Sequence, residues 1–175
     1  IMTSDGYIIT NAHVISGGRS CWIALDTGYT YDAELVGYDE DQDLAVLKAV
    51  DAEDLPTAEF GDSDQCRVGD TVYAIGNPLG LGLAISSGII GSTAHELDRY
   101  ALPCIVNSAD ISRGSSGGAL MNAHGQVIGV TSGAYTYGNN MYLAVPVDPV
   151  MAADLTVSGW TLKEVKAIEA AKDKD

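Results

Sequence analysis

Ser112-Arg113-Gly114-Ser115-Ser116-Gly117-Gly118-Ala119-Leu120, a serine pair bracketed by glycines and running straight into an apolar segment, is the stretch on which the fold of this 175-residue chain turns. A flexible linker would also be rich in Gly and Ser, but this tract is short and ends in a strand-like run. It therefore reads as a tight turn with special backbone angles. Such a turn can expose N–H groups and set a serine hydroxyl beside them, which is what the oxyanion of an acyl-transfer intermediate needs.

Outward from that turn, short apolar alternations repeat between turn signals. Strands are expected at Tyr7 to Thr10, Cys21 to Leu25, Tyr31 to Tyr38, Leu44 to Ala49, Thr71 to Ile75, Ala84 to Gly91, Cys104 to Asn107, Gly118 to Met121, Gln126 to Ser132 and Met141 to Val145. With 20 glycines among them, the pattern predicts a mostly β protein. An acidic, loop-like segment, about residues 51–70, divides the strands into two parts. From Thr161 on, Leu162, Val165, Ile168 and Ala171 recur at helical spacing, so 161–175 is expected to be an amphipathic terminal helix.

Composition narrows the function. Hydrophobic residues at 46% imply a sizeable core, and a net charge of −15 argues against a grip on nucleic-acid phosphates. The longest greasy stretch, around Leu79 to Ile90, is broken by Gly80, Gly82, Ser86, Ser87 and Gly88, so no membrane span is expected. Cys21, Cys66 and Cys104 are too few and too scattered for a disulfide scaffold or a zinc site and read as core thiols. No metal site or cofactor is expected.

A serine hydroxyl needs a base to become a nucleophile near neutral pH, and imidazole suits that work. His124 reads as a hairpin tip and His95 lies in a polar run, whereas His13 stands where the strand Tyr7 to Thr10 stops. A carboxylate must orient the base. Asp43, at the head of the apolar strand Leu44 to Ala49, is the preferred acid, with Asp39 and Asp41 as competitors. The order His13, Asp43, Ser116 is that of chymotrypsin-like enzymes, and it excludes an α/β-hydrolase, which needs Ser, then acid, then His.

Three motifs carry a resemblance: Gly6-Tyr7-Ile8-Ile9-Thr10-Asn11-Ala12-His13-Val14, Asp43-Leu44-Ala45-Val46-Leu47-Lys48 and Gly114-Ser115-Ser116-Gly117-Gly118-Ala119-Leu120. Together they are similar to the histidine, aspartate and serine motifs of trypsin-like proteases of the HtrA/Deg group, and the likeness runs over about residues 1–150. It implies His13 as general base and acid, Asp43 as its orienter, Ser116 as nucleophile, and the N–H groups of Gly114 and Ser116 as oxyanion donors. It resolves the serine pair by register, since two glycines follow Ser116. It implies that Thr131, Ser132 and Gly133 pair with a bound peptide, and it places Asp110 where trypsin has the aspartate at the base of its specificity pocket.

The fold so implied is two antiparallel six-stranded β-barrels, the first at about 1–55 and lacking N-terminal strands, the second at about 71–150. The protease domain is expected over 1–160, and the 29 residues after Pro146 leave no room for a PDZ domain. The implied activity is serine endopeptidase action on unfolded or flexible polypeptide, outside the cytoplasm, with an oligomer possible. The alternative is a protease-fold chaperone or binding module with an idle site. The group commonly has Asn where Ser115 stands, Pro where Ala119 stands, and a small apolar residue where Asp110 stands.

Overall fold

The computed structural model of the protein describes residues 1–151 and 158, apart from 81, 99, 113 and 136–139. The terminal helix expected at 161–175 lies outside the described residues. Ten strands form at the places where apolar residues alternate. They are β1 (Tyr7–Thr10), β2 (Cys21–Ala24), β3 (Thr30–Asp39), β4 (Leu44–Ala49), β5 (Thr71–Gly76), β6 (Ala84–His95), β7 (Cys104–Asn107), β8 (Ala119–Asn122), β9 (Val127–Ala134) and β10 (Tyr142–Pro146). Among the described residues, two short α-helices accompany them, α1 (Ala12–Ile15) after β1 and α2 (Val147–Met151) after β10. β6 outruns its expected end at Gly91 because two register shifts against β7 absorb the polar residues Ser92 to His95.

The chain divides into two compact units, with Ile1–Ala58 in the first and Glu59–Val150 in the second. The boundary falls inside the acidic segment read as a divider. In the first unit the strands make a four-stranded sheet in the order β1-β4-β3-β2. This is an open, curled sheet with β1 and β2 at its edges, where the resemblance implies a barrel short of its first strands. β4 is flanked on both sides, and Leu44, Ala45 and Val46 have no exposed surface. Burial on both faces explains why this strand reads as a continuous apolar run rather than an alternation.

In the second unit six strands close into a barrel, β10-β7-β6-β5-β8-β9. Its core is built by inward residues of successive strands, among them Val72, Ile90, Ile105, Leu120 and Ile128. Each sits on the period-2 face that the alternation predicts. Closure holds the loop after β7 and the turn before β8 on one barrel.

The expectation of three core thiols needs correction. Cys104 is fully buried, but Cys21 and Cys66 are only half-buried, and none of the three is in a disulfide. Cys21 and Ile23 do share the inner face of β2, yet β2 is an edge strand and the cover over it is partial. Cys66 follows a 3₁₀ turn (Ser63–Gln65). There, burial and the carboxylates of Asp70, Asp62, Asp148 and Asp64 push its thiol pKa up, which disfavours the reactive thiolate.

Candidate active site

In the first unit, the antiparallel pairing of β1 with β4 ends at Thr10 opposite Ala45. The residues just beyond, 11 to 13 on one strand and 43 to 44 on the other, must therefore meet. His13 Nδ1 lies 2.9 Å from Asp43 Oδ1 and 2.8 Å from Oδ2, and the His13 backbone N–H donates to Oδ1 at 3.0 Å. Asn11, wholly buried, donates from Nδ2 to the Asp43 carbonyl at 2.9 Å. Asp43 has φ 53°, a left-handed conformation that Asp tolerates better than most residues. The carboxylate is 15% exposed and the imidazole 49%, so the acid is sheltered while the ring stays reachable.

The competing carboxylates and histidines are placed elsewhere. Asp39 accepts the Gln42 N–H at 3.0 Å and caps the β3–β4 turn, and Asp41 is exposed in that turn. His95 stacks edge-on against Tyr135 with ring centroids 5.5 Å apart. His124 is exposed in the β8–β9 turn, its N–H donating to Asn122 Oδ1.

Ser116 belongs to the second unit, in the turn entering β8. The turn is folded by its glycines: Gly114 has φ 94° and Gly117 φ 83°, values that strain residues with a Cβ. Gly118 is needed for a different reason, since a Cβ there would lie 2.2 Å from the Ile75 carbonyl oxygen. Gly118→Ala is accordingly expected to destabilise the barrel by about 3 kcal/mol or more, a loss read as a fall in melting temperature. An unchanged melting temperature would contradict the close packing of this turn on β5.

Hydrogen bonds sort the turn's amides. Ser115 N–H donates to Ser112 O, Gly117 N–H to Thr131 O and Gly118 N–H to Ser115 O. The Ser115 carbonyl also takes the Thr131 hydroxyl at 2.6 Å. Among the described residues, the N–H groups of Gly114 and Ser116 have no partner. Both amides are therefore available as donors to a group outside the turn. Ser115 is buried, whereas Ser116 is half-buried and donates from Oγ to the Ser132 carbonyl at 3.0 Å.

β9 offers an open edge beside that hydroxyl. β8 pairs with it only as far as Val130, and Thr131 is closed by Gly117 and Gly118. Beyond Thr131 its described strand partner is β10, on the other side alone. Tyr100 Oη lies 2.6 Å from Ser132 Oγ in the buried layer beneath. The sequence reading missed Tyr100, Asn11 and the Thr131 hydroxyl as supports. Asn11 stood within the quoted motif, but Tyr100 carried no local signal.

Among the described residues, no cluster of His, Cys, Asp or Glu is arranged to hold a metal ion. No helix of the described chain is long and apolar enough to cross a membrane.

A histidine clasped by a carboxylate at the end of one sheet, and a serine turn with spare amides on a closed barrel, are what trypsin-like peptidases are built from. Residues 1–130 match the family described as the trypsin-like peptidase domain, and the chain belongs to that family. Its likeness there is to HtrA and DegP-like proteins. It is 43% identical over 155 residues to a probable periplasmic serine endoprotease DegP-like of Halomonas elongata, covering 86% of this chain and 32% of that protein. A DegP-like relative of Pseudomonas savastanoi is 39% identical over 166 residues, covering 91% and 34%. Among solved structures, the HtrA-type protease AlgW with decapeptide superposes with a TM-score of 0.81 at 38% identity, covering 85% of this chain and 47% of that one. The serine endoprotease from Yersinia pestis gives 0.74 at 37%, covering 84% and 52%. The chain spans about a third of the length of these curated relatives.

Proposed function

We propose that the chain is a serine endopeptidase unit that cleaves unfolded or flexible polypeptide through an acyl-enzyme. In this reading His13 takes the Ser116 proton as Ser116 Oγ bonds to the scissile carbonyl carbon, and the resulting oxyanion sits on the Gly114 and Ser116 N–H groups. Collapse breaks the C–N bond as His13 returns the proton to the leaving amine. Water then attacks the acyl-enzyme, again through His13, and frees the carboxylate product and Ser116. Asp43 holds the imidazole orientation and stabilises the imidazolium. Thr131, Ser132 and Gly133 are assigned to hydrogen-bonding the substrate backbone along the open edge of β9.

The observation that carries this reading is the His13–Asp43 clasp, in which one carboxylate oxygen takes both the ring and the backbone N–H. The relatives are named periplasmic serine endoproteases, and the same extracytoplasmic setting is proposed here. The test is a fluorophosphonate probe followed by peptide mapping. Label is expected on Ser116, and Ser115→Ala is expected to keep label and turnover within a few-fold, because the Ser115 hydroxyl is buried on the β5 side against Gly76. Folded protein that takes no label would instead identify a binding module with an idle site.

A further inference from the structure

Four small residues line one end of the closed barrel. β5 and β6 pair Ala74 with Ser86 and Gly76 with Ala84, and residues directly opposite share a face, so all four lie on one side of this ribbon. The next pair on that face is Val72 with Gly88, where a Cβ on the glycine would meet the Ala109 nitrogen at 2.2 Å, so the chain leaving β7 rests directly on the ribbon. Beyond that contact Ser86 Oγ donates to the Asp110 carbonyl at 2.7 Å. The chain touches the ribbon again at Ser115, whose Oγ would lie 2.9 Å from a Cβ on Gly76. Between the two contacts is a cavity of about 150 Å³, lined by the four small residues, Ser112 and Ser115, with Pro78 and Ile85 beside them.

The cavity lies behind the serine turn, away from the Ser116 hydroxyl. Ser115 lines it, whereas Ser116, Ser132 and Gly133 are not among its lining residues. Ser115 is 8% exposed, and its hydroxyl has no hydrogen-bond partner among the described residues. A buried donor left in this state is costly, and a bound acceptor removes the cost. We propose that this cavity is a binding site for a short, uncharged aliphatic carboxamide, and that the bound amide braces the serine turn in its reactive form. The bracing rests on Ser116 being the nucleophile; the binding does not.

Size and polarity select the ligand class. A cavity of this volume holds about six non-hydrogen atoms, the size of benzene. The alkyl body meets Ala74, Pro78, Ala84 and Ile85, and the polar head meets the serines. An amide carbonyl accepts the Ser115 hydroxyl, while its N–H groups offer donors to the Ser112 oxygens. An alkylammonium brings donors only and leaves the Ser115 proton without an acceptor. A carboxylate would enter beside Asp110, which also lines the cavity, in a chain of net charge −15. The Asp110 carboxylate is exposed and accepts the Tyr142 hydroxyl, so it is served without a ligand.

Two measurements on the full chain test this. The first is binding of isobutyramide read by saturation-transfer NMR, with isobutyrate and isobutylamine as matched comparators, and it requires no turnover. Saturable binding with a Kd of about 1–10 mM is expected for the amide alone. Ala84→Leu, at an exposed position on the rim, puts a larger side chain into the cavity and is expected to abolish binding. Ser115→Ala is expected to weaken it about tenfold. Melting temperatures control for folding. Wild-type protein that binds no amide, amide binding that survives both substitutions, or tighter binding of the amine or the acid overturns the site.

The second is the rate of fluorophosphonate labelling at Ser116. Saturating isobutyramide is expected to raise it about fivefold in the wild-type protein, with the same half-saturation as binding, and to leave Ala84→Leu unchanged. A wild-type rate that does not respond to saturating amide overturns the bracing. If the amide binds and Ala84→Leu abolishes that binding while Ser116 takes no label at any amide concentration, the cavity stands and the protease reading falls.

Discussion

Ser116→Ala is expected to lower kcat/KM for peptide hydrolysis by about 10⁶-fold, leaving a residue of activity from the oxyanion amides and substrate binding alone. The substitution removes only the hydroxyl. Ser116 is half-buried and its Oγ makes one hydrogen bond, to Ser132 O, so the barrel should be destabilised by no more than about 1 kcal/mol. If Ser116 and His13 act as nucleophile and base in one unit, as proposed, Ser116→Ala combined with His13→Ala should fall little below either alone. Steady-state hydrolysis of a fluorogenic peptide, with melting temperature measured in parallel, checks both points. More than about 1% activity remaining in Ser116→Ala would place the nucleophile elsewhere.

Asp43→Asn is expected to cost about 10⁴-fold in kcat. Asn tolerates the left-handed backbone that Asp43 adopts, so the β1–β4 junction should survive the change. What changes is charge and hydrogen-bond sense. The carboxylate accepts from both the His13 ring and the His13 backbone N–H, and an amide cannot serve both contacts while also balancing a developing imidazolium. Asp39→Asn is the matched control: Asn keeps an oxygen that accepts the Gln42 N–H in the β3–β4 turn, so little change in stability and near-full activity are expected. A loss below tenfold in Asp43→Asn would remove Asp43 from the mechanism.

The parts of the site legible in the sequence are those encoded by neighbours along the chain. The serine pair was marked by the glycines around it, with Ser116 chosen only by the register of the resemblance, and His13 and Asp43 by standing at the end of one strand and the head of another, which antiparallel pairing then joins. Supports that depend on which strands lie side by side left no such mark. Tyr100 meets Ser132, 32 residues away in the chain. Partial burial was equally hidden. Cys21 alternates correctly with Ile23, but alternation does not reveal that β2 is an edge.

The hydrogen bond from Ser116 to the Ser132 carbonyl has a bearing on chemical self-restraint. In the free protein the Ser116 hydroxyl proton is held by a neutral acceptor, so in the proposed mechanism the nucleophile starts from a hydrogen-bonded resting state. In the proposed binding mode, a peptide adding along β9 would bring backbone N–H donors to the same carbonyl and compete with the hydroxyl for it. On that reading an extended substrate would help to release the serine, whereas a small ester with no amide to offer would act on the hydrogen-bonded form.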